Sequence, residues 1–267
     1  MKFDLFISDF DWTLGLAPDK IEPETVDAIK QYIKKGGKFV VVSGRGPVSV
    51  RNICKKYGFT GVCVGFQGGE VVDIESGEKI FSKGIENDLA SKTAELFKAT
   101  GETVTANLDD GLYYEKATEF TKIYETAVKI QGQIVPDLIE YIKNYKGIIH
   151  KINCITKPEK VKELTPKLQN ALEGELIVNN GAEYMIEAIN PLYSKNFAVR
   201  FLAEKFSVPF EKIITVGDST NDVGLVKGEW HGVAVGDAMQ GLKDVAKEIT
   251  VDFKDQPIKA LLEKYCL

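Results

Sequence analysis

The stretch that decides the fold is "FDLFISDFDWTLG", residues 3–15. Its apolar opening, Phe3 to Ile7, reads as a buried strand. Two acids, Asp9 and Asp11, stand just past it, one residue apart, with Trp12 and Thr13 directly beyond. The segments after Gly15 tell which kind of sheet this strand joins. Residues 23–37, "PETVDAIKQYIKKGG", place Val26, Ile29 and Ile33 at helical spacing and stop at Gly36-Gly37. "KFVVVSG" (38–44) is a β-branched strand, "VSVRNICKKYGF" (48–59) a helix ending near Gly58, and "GVCVGF" (61–66) a strand again. Strand and helix in alternation predict βαβ units and a parallel sheet.

The same grammar returns near the C-terminus. "SKNFAVRFLAEKFS" (194–207) is a helix with Phe197, Phe201, Leu202 and Phe206 on one side. "KIITVG" (212–217) is a strand, "NDVGLVKG" (221–228) a short helix and "GVAVG" (232–236) a strand; "DVAKEI" (244–249) and "PIKALLEKY" (257–265) supply further helical turns. The middle differs. The hairpin-like "EVVDIESGEKIF" (70–81) leads into a helix, the strand pair "TVTANL" and "GLYYEK", and then helices mixed with the strands "GIIHKINCIT", "ELIVNN" and "EYMIEAI". The expected fold is therefore an α/β, Rossmann-like parallel-sheet core, residues 1–84 and 189–267, interrupted by an inserted α+β domain, residues 85–188.

Composition narrows the function. The 267 residues exceed what one core needs, and 44% hydrophobic with 27% charged residues is ordinary globular composition. A net charge of -5 gives no footprint for nucleic acid or an anionic membrane. No apolar run approaches the roughly 18 residues of a spanning helix. The N-terminus carries Asp4 and Asp9 inside its apolar stretch, so no signal peptide is expected. Cys54, Cys63, Cys154 and Cys266 are scattered, without a C-x-x-C pair, as reduced thiols of a cytoplasmic protein would be. Two histidines, His150 and His231, leave little for a zinc site or a Ser-His-Asp triad.

In an open parallel sheet, ligands bind beyond the C-terminal strand ends. There the chain places Asp9, Asp11 and Thr13 after the first strand, and Ser43, Gly44 and Arg45 after the second. After "IITVG" come Asp218, Ser219, Thr220, Asn221 and Asp222. Carboxylates converging on one edge repel, and a divalent cation removes most of that repulsion. An all-oxygen donor set suits Mg2+, which also takes a substrate phosphate as ligand. Ser43, Thr13 and neighbouring backbone N–H groups can hold phosphate oxygens. Lys195, before a long amphipathic helix, is a candidate cation for the phosphoryl charge. A lone D-x-D-x-T is a weak signal, because Asp and Thr crowd turns and caps. Order, separation and strand-end placement agreeing at once make it a strong one.

These motifs resemble the haloacid dehalogenase (HAD) superfamily of phosphohydrolases. "DFDWT" (9–13) is similar to the first motif, "VVVSGR" to the second, Lys195 to the third and "VGDSTND" (216–222) to the fourth. The long insert resembles a type-IIB cap, the substrate-specificity domain, and within that group the chain is most similar to Cof-type sugar-phosphate phosphatases. The resemblance implies a Mg2+-dependent phosphomonoesterase acting on a small phosphorylated metabolite, a sugar phosphate foremost, through an aspartyl-phosphate intermediate. It implies Asp9 as nucleophile and Asp11 as general acid and base. Ser43, Gly44, Lys195, Asn221 and Thr13 would bind the phosphoryl group. Asp9, the backbone carbonyl of Asp11, Asp218 and Asp222 would hold the metal. Arg45 matches the motif without an assigned chemistry, a structural ion pair being as good a reading.

Four positions depart from the family pattern: Trp12 for glycine, Ser43 for the commoner threonine, "FQGGE" for Asn-Gly-Ala at Gln67–Gly69, and Asp237 for asparagine. The Trp12 ring is expected to pack under its loop or against the linker to the insert. The partner expected is a small phosphorylated substrate, with neither nucleic acid nor membrane, and the chain is expected as a monomer or weak homo-oligomer. A phosphomutase of the same superfamily, or a non-catalytic nucleotide-binding module, are the competing readings. Neither G-x-G-x-x-G after the first strand nor a P-loop is present to favour the latter.

Overall fold

A computed structural model describes residues 1–16, 19–109 and 111–267. The chain divides into two compact units, Met1–Phe81 with Ser194–Leu267, and Ser82–Tyr193.

The first unit opens with β1 (Leu5–Ser8), α1 (Pro23–Lys34), β2 (Lys38–Val41), α2 (Pro47–Tyr57) and β3 (Val62–Gly65), then β4 (Glu70–Asp73) and β5 (Lys79–Ser82). Proline sits in the first turn of both helices, where its missing N–H costs nothing. α1 buries Val26, Ile29 and Tyr32 against the sheet. β3 lies parallel to β2, as the βαβ reading expects. It touches β2 through the parallel bridge Val42–Val64, but its main pairing is antiparallel, to β4, in a separate sheet of order β3-β4-β5. The connection after β3 is a tight turn over Phe66–Gly68, too short for the crossover that a parallel neighbour needs.

The second unit holds α3 (Asn87–Lys98), β6 (Thr103–Leu108), β7 (Gly111–Tyr114), α4 (Glu119–Val128), β8 (Gln133–Ile134), α5 (Leu138–Asn144), β9 (Ile149–Ile155), α6 (Pro158–Ala171), β10 (Ile177–Ala182) and β11 (Met185–Ile189). Its strands form one sheet, β10-β11-β9-β6-β7-β8, antiparallel except between β7 and β8. Ala106, Ile152, Cys154, Ile186 and Ala188 pack with Ala94 and Phe97 of α3, Ile142 of α5 and Leu168 of α6. Lys151 and Asn153 are also buried in the sheet, Lys151 in a 2.9 Å ion pair with Glu187.

The chain then returns to the first unit through α7 (Lys195–Phe206), β12 (Ile213–Gly217), α8 (Val223–Val226), β13 (His231–Ala234), α9 (Gln240–Lys243), β14 (Glu248–Ile249) and α10 (Pro257–Tyr265). All five strands of this core sheet, order β14-β13-β12-β1-β2, run parallel. Successive side chains on a strand face opposite ways. Leu5, Ile7 and Val40 accordingly pack with Ala198, Val199 and Leu202 of α7. Phe6, Phe39 and Val41 pack with α1 and α10 residues such as Ile29 and Leu261. A sheet covered on both faces explains why its strands read as unbroken apolar runs.

Two local expectations are corrected. In "DVAKEI" the helix is already over, and Glu248–Ile249 pairs with Val233–Ala234 as the edge strand. Short apolar patterns do not separate a last helical turn from a short strand. On α7, the small residues Ala198 and Ala203 lie buried with Val199 and Leu202, while Phe197 and Phe201 sit half-buried against Phe81 at 4.9 and 5.3 Å.

Candidate active site

The site lies at the C-terminal ends of β1, β2 and β12. Asp9 follows β1 and is anchored by its N–H, which donates to Val216 O at 3.0 Å. Its buried carboxylate accepts from Lys195 Nζ through Oδ1 at 2.7 Å. Lys195, fully buried at the start of α7, donates also to Asp222 Oδ1 at 2.5 Å. The other oxygen of Asp222 accepts the N–H groups of Asp218 and Ser219, both at 3.2 Å. For this, Asp222 must fold back against Gly217, where a Cβ would lie 2.5 Å from its own. Asp218 completes the group: its Oδ1 accepts from Thr13 Oγ1 at 3.1 Å. Asn221 Oδ1 accepts from Ser219 Oγ at 2.7 Å, and Ser43 lies buried after β2 with its Oγ accepting the Arg45 N–H at 3.2 Å.

Burial and crowding set the charges here. Burial, then the Asp222 and Asp218 charges, push the Asp9 carboxyl well above the ordinary range against the pull of Lys195. Burial and Asp222 raise Asp218 to about 7. Burial alone would lower Lys195, but Asp222 and Asp9 outweigh it and its ammonium is held charged.

The carboxylates of Asp9, Asp218 and Asp222 each bring an oxygen within 4.8 Å of the others. Oδ2 of Asp9 and Oδ2 of Asp218 make no hydrogen bond among the described residues. Three acids against one lysine, with two such oxygens and raised pKa values, form a donor set that fits a hard divalent cation. Both oxygens of Asp222 are engaged, one by Lys195 and the other by the N–H groups of Asp218 and Ser219.

Asp11 and Thr13 make contacts that the sequence does not announce, and Trp12 stands differently from expectation. Asp11 is outside the carboxylate cluster: Arg45 Nε and NH2 hold its two oxygens in a fork at 2.9 and 2.6 Å. Arg45 also donates to Asp19 Oδ1 at 2.6 Å and lies over the Phe10 ring at 4.8 Å, so the ion-pair reading of Arg45 is the one the geometry takes. The hydroxyl proton of Thr13 is directed to Asp218. Trp12 does not pack under its loop. It is 59% exposed, touching Phe253 edge-on at 5.8 Å, on a backbone with a φ of 60°. Asp19 and the approach of Gln67 to Gly44 carried no sequence signal beyond Gln67 being out of pattern.

Residues 6–262 match the model of the haloacid dehalogenase-like hydrolase family. The chain belongs to this family, and its enzyme class is hydrolase. A hydrolase of Schizosaccharomyces pombe, named as uncharacterized, is 26% identical over 260 residues, 92% of this chain and 85% of its own. The HMP-PP phosphatase of Yersinia pseudotuberculosis is 21% identical over 244 residues, 91% of this chain and 87% of its own. Among solved structures, a HAD subclass IIB sugar phosphatase superimposes with a TM-score of 0.81 over 98% of both chains at 17% identity, a likeness of fold. Among the described residues no helix is long and apolar enough to cross a membrane.

Proposed function

We propose that this chain is a Mg2+-dependent phosphomonoesterase that hydrolyses a small phosphorylated metabolite, a sugar phosphate foremost, through an aspartyl-phosphate. The observation that carries this is the Asp9 carboxylate: buried at the end of β1, with Oδ1 fixed on Lys195 and Oδ2 without a hydrogen bond among the described residues. A carboxylate so held is a nucleophile that needs no base. The names of the Yersinia phosphatase and of the solved sugar phosphatase support the substrate class.

In this reading Asp9 Oδ2 attacks phosphorus, and the bond to the leaving alkoxide breaks. Lys195, Ser43, the Gly44 N–H and Asn221 receive the phosphoryl oxygens, stabilising charge where it develops. Asp11 delivers a proton to the alkoxide, then takes one from the water that cleaves the acyl phosphate. Its fork with Arg45 has to open for that transfer, so Arg45 restrains the acid between turnovers. Thr13 keeps Asp218 oriented. Asp9, Asp218 and the Asp11 backbone carbonyl would hold Mg2+, with Asp222 behind them, and the ion would neutralise phosphoryl charge. Four free, buried cysteines accord with a reducing, cytoplasmic setting, and a monomer or weak homo-oligomer is proposed with it.

The test is release of inorganic phosphate from an aryl phosphate and from a panel of sugar phosphates and HMP-PP. Activity is expected with Mg2+, and Asp9→Asn is expected to abolish it. Turnover by Asp9→Asn, or by enzyme stripped with a chelator, would refute the mechanism. An isomerised sugar phosphate in place of free phosphate would identify a mutase.

A further inference from the structure

The loop that carries Ser43 and Gly44 is gripped along one side by the turn after β3. Ser43 N–H donates to Val64 O at 3.0 Å, Phe66 N–H to Arg45 O at 2.9 Å, and Gln67 N–H to Ser43 O at 3.0 Å. A Cβ on Gly65 would lie 2.5 Å from Pro47 N, so the two backbones touch. At the head of the turn, two consecutive non-glycine residues are left-handed, Phe66 at φ 50° and Gln67 at φ 62°. L-residues adopt this conformation only against strain, and such strain gathers where function requires it. Glycine takes it freely. Two glycines, Gly68 and Gly69, come directly after. A turn needing only its backbone shape would be better served by glycine at 67, so what Gln67 adds is its side chain.

That side chain is 2% exposed and lies on Gly44. A Cβ built on Gly44 would meet Gln67 Nε2 at 2.6 Å and Cδ at 3.1 Å, its two nearest neighbours. The amide therefore fills the space that a side chain at 44 would take. We propose that Gln67 is a positioning residue: its amide, packed on Gly44, fixes the 43–45 peptides so that Ser43 Oγ and the Gly44 N–H meet the phosphoryl group. This rests on the proposed phosphatase function.

Gln67→Gly separates the side chain from the turn, because glycine keeps φ 62° without strain. Its melting temperature is expected to equal or exceed that of the wild type. KM for an aryl phosphate and the inhibition constant of inorganic phosphate are both expected to rise about tenfold, with kcat within about twofold. Gly44→Ala, which displaces the amide, is expected to weaken phosphate binding by a similar factor in the wild-type background. In the Gln67→Gly background it should add nothing, since the amide it collides with is gone. Unchanged KM and phosphate inhibition in Gln67→Gly would overturn the proposal. So would effects of the two substitutions that simply add. A wild-type enzyme that neither hydrolyses phosphomonoesters nor binds phosphate would remove the site reading itself, and the proposal with it.

Discussion

Asp218 is the residue through which pH should reach the site. Its carboxyl is raised to about 7 by burial and by Asp222, so below that pH it holds a proton that a metal must displace. Metal affinity is expected to fall as pH drops through 7, by about tenfold per unit for the proton that Asp218 must lose. Titration calorimetry at pH 8 and pH 6 checks this, and equal affinities would remove Asp218 from the ligand set. The same shift has the opposite sign for the metal-free fold. The folded chain binds the proton more tightly than the unfolded one, so stability present at low pH is lost as pH rises toward 7. Trp12 is a residue held against its own preference. Its φ of 60° costs an L-residue about 1–2 kcal/mol, while its exposed ring recovers little beyond the edge contact with Phe253. Trp12→Gly is expected to leave the melting temperature unchanged or higher. A drop of several degrees would mean that the ring packs more productively than its exposure suggests. The acids Asp9, Asp11, Asp218 and Asp222 were legible in sequence, because each closely follows an apolar run. The partner of Asp11 was not, because Arg45 meets it only after β1 and β2 lie side by side.

At the scale of elements, the turn from β12 into Thr220–Asp222 is the part on which the site hinges. Gly217 lets Asp222 fold back, and Asp222 in turn joins the N–H groups of Asp218 and Ser219 to Lys195 on α7. Gly217→Ala forces a Cβ against that carboxylate. It is expected to cost about 1–3 kcal/mol in stability, read as a shift in the denaturation midpoint, and to weaken metal binding with it. Normal metal affinity in this variant would show that Asp222 does not set the position of Asp218. Long elements such as α1 and α7 were legible from their spacing. β14 and the antiparallel partner of β3 were not, since a two-residue strand has no period and a strand does not state its neighbour.

At the scale of the molecule, the two units carry separate hydrophobic cores, and Asp9, Asp218, Asp222 and Lys195 all belong to one of them. A cation binding there stabilises the unit that holds it, by about 2.7 kcal/mol at a hundred times Kd, and the other unit has its own core. Scanning calorimetry is therefore expected to show Mg2+ raising one transition and leaving the other in place. A single transition shifted as a whole would show that the units unfold as one. By itself, the sequence determined the α/β class, the family and the acids at the strand ends. These depend on local periodicity and on motif order, which the chain carries wherever it folds. Only the tertiary structure decided which of those groups meet. It set Lys195 between Asp9 and Asp222, turned Thr13 to Asp218, withdrew Asp11 to Arg45 and laid Gln67 on Gly44. Each of these contacts joins residues on different elements, and the distance between two elements is fixed by how the sheet is ordered and packed.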